Sequence, residues 1–358
     1  MTSPIPPASF LSTSHLQKQN FRSEMLGNHI TVAELNADAA WQKSISGRFV
    51  LLGVPDDRGV ELNQGFVGAQ AGPAAFRQAF YKLYDVRSAD GQWLGERWLD
   101  VGDLVLQPTL EETHSALADV VNFLLSQGAK RVHVVGGGHD FSFGSYWGHA
   151  RAVSGVLPIV NFDAHFDLRP VEQNVINSGT PFWRVIENLS THIAGGQALF
   201  EVGIQRERNP QSLWDYAASR GVSVAEYTAL SRGWKYHRCL GNENCALEEQ
   251  IKIWVHHWTS SASTSGALHL SIDLDVFTFS SAPGTSASTS FGVPVETLWP
   301  CMEDVLSRDN CRVVDVAELC PARDVQSQTA RLAAALVFRG SLSLEAGGRS
   351  LVRDPFLG

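Results

Sequence analysis

The chain has 358 residues, 44% of them hydrophobic, and its 28 basic and 37 acidic side chains leave a formal net charge of −9. That length suits one large α/β domain or two small ones, and the apolar content is ample for a core. No basic patch stands out, which argues against nucleic acid and anionic membranes as partners, and no apolar run approaches the roughly 18 residues of a membrane span.

The stretch before Glu24 has no acidic side chain, is rich in Ser, Thr and Pro, and carries only Lys18 and Arg22 as fixed positive charges. Residues 1–46 are therefore expected to form a flexible N-terminal tail or extension. Scarce arginine weighs against an organellar transit peptide, no secretory apolar region is evident, and a cytoplasmic location is expected. Residues 47–358 are expected to be one catalytic domain.

Within that domain, Arg48 to Val54 reads as a first strand. Gly72-Pro73 opens a helix through Phe76, Phe80 and Leu83, with Pro suited to a first turn. Thr109 and Glu112 have capping-box spacing. Leu117, Val120, Val121, Leu124 and Leu125 follow at helical spacing, and Gly128 ends the helix. Strands are expected over 131–135, 157–162, 199–204, 267–273 and 311–317, with helices near 210–219, 246–258, 295–307 and 326–340. This alternation predicts a three-layer α/β/α fold around a mostly parallel sheet.

Two stretches fit less well. Residues 229–245 read as an insertion. Its His237, Cys239 and Cys245 hint at zinc without an evident fourth ligand, and a Cys239–Cys245 disulfide is conceivable. Ser280 to Ser290 is a Ser/Gly/Pro-rich loop, and its position after an acidic motif suggests a wall of the active site. The five cysteines (Cys239, Cys245, Cys301, Cys311 and Cys320) form no framework, which favours a reducing compartment.

Three short runs carry the chemistry: Gly136-Gly137-Gly138-His139-Asp140, Asn161-Phe162-Asp163-Ala164-His165-Phe166-Asp167, and Ser271-Ile272-Asp273-Leu274-Asp275. Each follows an apolar strand segment. Side chains two apart on a strand share a face, so Asp163, His165 and Asp167 can converge, as can Asp273 and Asp275. Four carboxylates and two imidazoles gathered at strand ends would repel and desolvate one another unless cations joined them. The oxygen and nitrogen donor set suits manganese, with iron, cobalt or zinc as weaker candidates. Two such ions can hold a water as hydroxide near neutral pH, so hydrolysis is the expected chemistry.

These runs, in this order, resemble the signatures of the ureohydrolase superfamily, which includes arginase, agmatinase and formimidoylglutamase. The similarity covers roughly residues 47–345. Asn161 to Arg169, Ser178 to Phe182, Gly203-Ile204-Gln205, Ala317-Glu318-Leu319 and Thr329 to Ala334 look most like formimidoylglutamase.

The resemblance implies an arginase-like fold, two manganese ions per subunit and a homo-oligomer, trimeric or hexameric. It implies hydrolysis of N-formimidoyl-L-glutamate to L-glutamate and formamide by a metal-bridging hydroxide. It places His139, Asp163, Asp167 and Asp273 around one ion, and His165, Asp163, Asp273 and Asp275 around the other. Asp167 would also orient the attacking hydroxide. Glu318 would face the cationic nitrogen end of the substrate, and Ser178 would lie along it.

Arg169 stands where arginase-like enzymes have a small amide, and an Arg fork suits a substrate with two carboxylates. Arg184 and Arg206 are weaker candidates for that task. Phe182 replaces the histidine that arginase uses as a proton shuttle, which argues against arginase activity. A ureohydrolase acting on another guanidino or amidino compound is the alternative.

Overall fold

The structure, a computed structural model, describes residues 7–16, 21–35, 40–88, 90–228, 233–238, 240 and 244–346. Its strands are β1 (Leu11–Ser12), β2 (Thr31–Val32), β3 (Phe49–Val54), β4 (Trp98–Leu104), β5 (Arg131–Gly136), β6 (Ile159–Phe162), β7 (Leu199–Ile204), β8 (Ser223–Thr228), β9 (Gly233–His237), β10 (Leu268–Asp273) and β11 (Cys311–Ala317). They form one sheet in the order β1-β4-β3-β5-β11-β10-β6-β7-β8-β9, with β2 also on β4. From β4 to β8 every pairing is parallel; β1 and β9 add antiparallel edges.

The helices are α1 (Arg58–Leu62), α2 (Gly72–Phe80), α3 (Leu110–Ser126), α4 (Phe141–Ala152), α5 (Pro181–Asn188), α6 (Gln211–Arg220), α7 (Leu247–Thr259), α8 (Val295–Leu306) and α9 (Gln328–Glu345). One core holds Phe76, Trp254, Met302 and Val337 of α2, α7, α8 and α9. Two others hold Val121 of α3 and Tyr146, Val185 and Trp214 of α4, α5 and α6. The sheet is thus covered on both faces, and a central strand such as β3 is buried at every residue, as parallel strands must be.

The local signals act as read. Thr109 accepts from the Glu112 amide while the Glu112 carboxylate takes the Thr109 amide, closing a capping box on α3. Gly128, at φ +83°, ends the helix in a left-handed turn. Helix α2 stops at Phe80, so Leu83 lies beyond it in a turn.

The described parts of the N-terminal extension pack against the domain. β1 and β2 pair with β4, and Leu26, Trp41 and Ile45 are buried. Apolar residues spaced among the Ser and Thr cover a sheet edge that would otherwise present unpaired backbone groups.

Residues 233–237, expected within an insertion, are the edge strand β9. His237 pairs with Glu226 at 2.8 Å, Cys245 is a free thiol, and Cys239 lies outside the described residues.

β4 does not stand out in the sequence because Asp100, Gly102 and Asp103 interrupt its apolar run. Buried Arg77 of α2 explains them. Its Nε donates to Asp100 Oδ2 at 2.7 Å, its Nη1 to Asp103 Oδ1 at 2.5 Å, and its Nη2 to the Gly102 carbonyl at 2.8 Å. Substitution of Arg77 by Ala leaves the Asp100 charge buried and unpaired, and is expected to cost about 3–5 kcal/mol of stability. The denaturant midpoint reads this out, and a loss below about 1 kcal/mol would contradict the pairing argument.

Candidate metal centre

The parallel sheet brings the carboxyl ends of β5, β11, β10 and β6 side by side, where α/β sheets bind ligands. After β5, the Gly136-Gly137-Gly138 turn delivers His139 to the start of α4. β6 ends at Phe162, so Asp163, His165 and Asp167 lie on the loop beyond it. Their convergence therefore comes from loop conformation, not from strand alternation, and Asp167 takes a left-handed φ of +48°. Asp273 is the last residue of β10, and its carboxylate caps the turn carrying Asp275 (2.8 Å to the Asp275 amide).

One ligand atom each from His139, Asp163, Asp167 and Asp273 falls within a 4.8 Å span, and a second group joins Asp163, His165 and Asp275. Asp163 is common to both. Asp273, expected in both sets, falls within the first group, and its Oδ1 accepts from the Asp275 amide.

The donor set fits cations. His139 Nδ1 is buried and lies 2.9 to 3.3 Å from oxygens of Asp163, Asp167 and Asp273, yet it forms no well-aligned hydrogen bond with any of them. Its other nitrogen is 2.8 Å from Ser271 Oγ, which fixes the ring as an outer partner of a metal-ligating histidine does.

Left to the protein's own charges, the cluster is in conflict. Burial and Asp163 push the Asp167 carboxyl up to about 6. Burial, Asp275 and Asp163 push Asp273 well above the ordinary carboxylate range. Burial would raise Asp163 as well, but the adjacent His139 and His165 imidazoles hold it below that range. Burial disfavours charge on His139, yet the carboxylates around it raise it well above a free imidazole. Cations at this point would remove the conflict by keeping the acids ionised and the imidazoles neutral.

A cavity of about 200 Å³ opens on this cluster, lined by His165, Asp167, Asp273, Asp275 and Glu318 among others. A larger hollow of about 740 Å³ alongside contains none of the six candidate ligands, so size does not mark the site.

Glu318, immediately after β11, has φ +65°. Its Oε1 accepts from the His139 amide at 2.9 Å, and its Oε2 accepts from Ser286 Oγ. Burial pushes its carboxyl up to about 8, opposed in part by those two bonds. Ser286 and Ala287 also line the cavity, which places the Ser280–Ser290 loop at its wall.

Arg169 and Ser178 reach the same cavity through Asn63, a residue that no sequence motif marks. Arg169 Nη1 donates to Asn63 Oδ1 at 2.5 Å, and Asn63 Nδ2 donates to Ser178 Oγ at 3.0 Å. The two weaker arginine candidates point elsewhere. Arg184 is buried against Phe143, 2.7 Å from His114 Nδ1. Arg206 stacks on Trp214 and pairs with Glu226. Each already has a partner within the fold.

The sequence profile described as the arginase family matches residues 47–341. The chain belongs to the arginase family. Among its relatives, the formimidoylglutamase of Rhodococcus opacus (strain B4) is 35% identical over 301 residues, spanning 82% of this chain and 85% of the relative. The formimidoylglutamase of Nocardia farcinica (strain IFM 10152) is 37% identical over 297 residues, spanning 81% and 84%.

Solved structures share the fold. Bacillus subtilis formimidoylglutamase superposes with a TM-score of 0.72 at 22% identity, covering 94% of this chain and 97% of its own. Trypanosoma cruzi formiminoglutamase with Mn2+ superposes with a TM-score of 0.70 at 24% identity, covering 86% and 95%.

In this arginase-family chain Phe182 packs edge-on against the His139 ring, with centroids 5.3 Å apart, so an apolar ring flanks the first ligand group. No helix among the described residues is long and apolar enough to cross a membrane.

Proposed function

We propose that this chain is a manganese-dependent formimidoylglutamase, hydrolysing N-formimidoyl-L-glutamate to L-glutamate and formamide. The observation that carries the reading is a cavity that opens on two groups of metal-ligand side chains, sharing Asp163, and is also lined by an arginine with no carboxylate partner among the described residues. The relatives named formimidoylglutamase and the Mn2+ reported with the Trypanosoma cruzi protein support it.

His139, Asp163, Asp167 and Asp273 would hold one ion, and Asp163, His165 and Asp275 the other. Bound there, the pair would lower the pKa of a water and offset charge developing at the amidine carbon. Glu318 accepts from the amidine nitrogens and so orients the carbon for attack. Asp167 takes the proton of the attacking water and returns it to the departing α-nitrogen of glutamate, a task that Phe182 cannot share. Arg169 binds a substrate carboxylate, with Asn63 and Ser178 fixing its position.

Residues 47–358 are assigned to one catalytic unit with 1–46 as an extension. The protein is assigned to the cytoplasm, in keeping with the free thiols Cys245, Cys301, Cys311 and Cys320, and acts as a homo-oligomer.

Protein reloaded with manganese and freed of excess metal is expected to release glutamate from N-formimidoyl-L-glutamate, and chelation is expected to abolish release. Metal-loaded protein that releases none would end the substrate assignment.

A further inference from the structure

Arg208 follows β7 and lines the same cavity as Asp167, Asp273, Asp275 and Glu318. It is half-buried, and its Nη2 donates to the main-chain oxygens of Ala287 (3.3 Å) and Ser288 (3.0 Å). Among the described residues no carboxylate pairs with it, and its Nε and Nη1 donors meet no partner. Arg206, two residues earlier, shows the contrast: Glu226 holds it at 2.9 Å. Arg169 is in the same condition as Arg208, since only Nη1 is engaged, by neutral Asn63.

A cavity walled by four acids thus also holds two guanidinium groups that those acids do not neutralise. Arg169 keeps its Nε–Nη2 edge free, which matches a carboxylate bidentately, and Arg208 keeps Nε and Nη1 free to donate singly to another.

We propose that Arg208 is a second carboxylate-binding residue, and that Arg169 and Arg208 each take one carboxylate of the substrate. The inference deepens the formimidoylglutamase reading and rests on it. The metal ligands and Glu318 face the amidine, and the two arginines face the two carboxylates, so selectivity for a dicarboxylate needs both. The loop that receives Arg208 also carries Ser286, which donates to Glu318. A carboxylate seated on Arg208 is therefore held at a fixed position relative to the acid that orients the amidine.

The test uses the full-length, manganese-loaded protein and three substrates. These are N-formimidoyl-L-glutamate, N-formimidoyl-L-glutamine (no γ-carboxylate) and 4-(formimidoylamino)butanoate (no α-carboxylate). Arg208→Ala is expected to lower kcat/KM on the dicarboxylate by about 10- to 100-fold, chiefly through KM. On one of the two monocarboxylates, the one lacking the group that Arg208 binds, the loss should be under about 3-fold. Arg169→Ala should give the complementary pattern on the other monocarboxylate.

Manganese content and thermal midpoint report on folding, and Arg208→Gln gives the same readout if the alanine variant is unstable. Equal losses on all three substrates, or no loss on any, overturn the proposal while leaving the enzyme a formimidoylglutamase. Wild-type protein inactive on all three overturns the parent reading and this one with it.

Discussion

Replacement of Asp163 by asparagine is expected to lower kcat/KM on N-formimidoyl-L-glutamate by about three orders of magnitude or more and to leave fewer than two tightly held ions. Among the described residues Asp163 alone belongs to both ligand groups. Its Oδ2 lies 3.2 Å from His139 Nδ1, and its Oδ1 accepts from the His165 amide at 2.7 Å. It is fully buried.

Asparagine nearly preserves volume, so packing is little disturbed. What changes is charge and polarity: one negative charge disappears between the two cation positions, and an NH2 group faces donors or ions where an acceptor stood. Asp275→Asn provides the graded comparison, because Asp275 belongs to the second group only and should weaken one ion. Metal content after gel filtration, measured beside kcat/KM, separates the two variants. An Asp163→Asn protein that keeps two ions and loses less than about tenfold in activity would contradict the shared position of Asp163.

Much of this architecture was legible in the sequence because its signals are local. β3, β5, β7, β10 and β11 are short apolar runs, and burial on both faces of a parallel sheet demands such runs. The gathering of His139, Asp163, His165, Asp167, Asp273 and Asp275 was legible too, since acids placed directly after apolar strands repel one another unless a cation joins them.

Strand alternation, which predicts that gathering, accounts for it only in part. β6 stops at Phe162, and the loop, with Asp167 in a left-handed conformation, aims the side chains.

Partnerships between distant segments were not legible. β4 looks too acidic to be a strand until Arg77 is placed against it. The pairing of Leu11–Ser12 and Thr31–Val32 with β4 is of the same kind, since it depends on an edge that lies roughly 65 to 95 residues away in the chain. Arg184 and Arg206 look like Arg169 in sequence, and only the fold shows that His114 and Glu226 already hold them. Asn63 and Arg208 reach the site from two separate segments, and neither sits in a pattern that marks it beforehand.

The glycine turn before His139 offers the other large effect. Substitution of Gly137 by alanine is expected to weaken metal binding and to cut activity by about 100-fold or more, since a displacement near 1 Å at a reacting centre can cost that much. A Cβ at Gly137 would stand 2.0 Å from the Asp56 carbonyl oxygen and 2.6 Å from its carbon, so the obstacle is backbone, not a side chain that can swing away.

Neither side of the contact can retreat. Asp56 is tied by its amide to the Val54 carbonyl, by its own carbonyl to the Gly138 amide, and by its carboxylate to Arg58 at 2.5 Å. Gly137 donates to Val54 and accepts from the Glu318 amide. The strain must therefore pass along the turn to His139, whose amide is held by Glu318. Overpacking of this kind also costs about 1–3 kcal/mol of stability.

Gly47→Ala is the control. Its Cβ would meet nothing within 4 Å, but its φ of +73° still disfavours a side chain, at a cost of about 1 kcal/mol. The two variants should thus lose comparable stability, while only Gly137→Ala loses manganese and turnover. Retention of two ions and full activity by Gly137→Ala would show that the turn can shift without moving His139, and that the three glycines are not what positions the first ligand group.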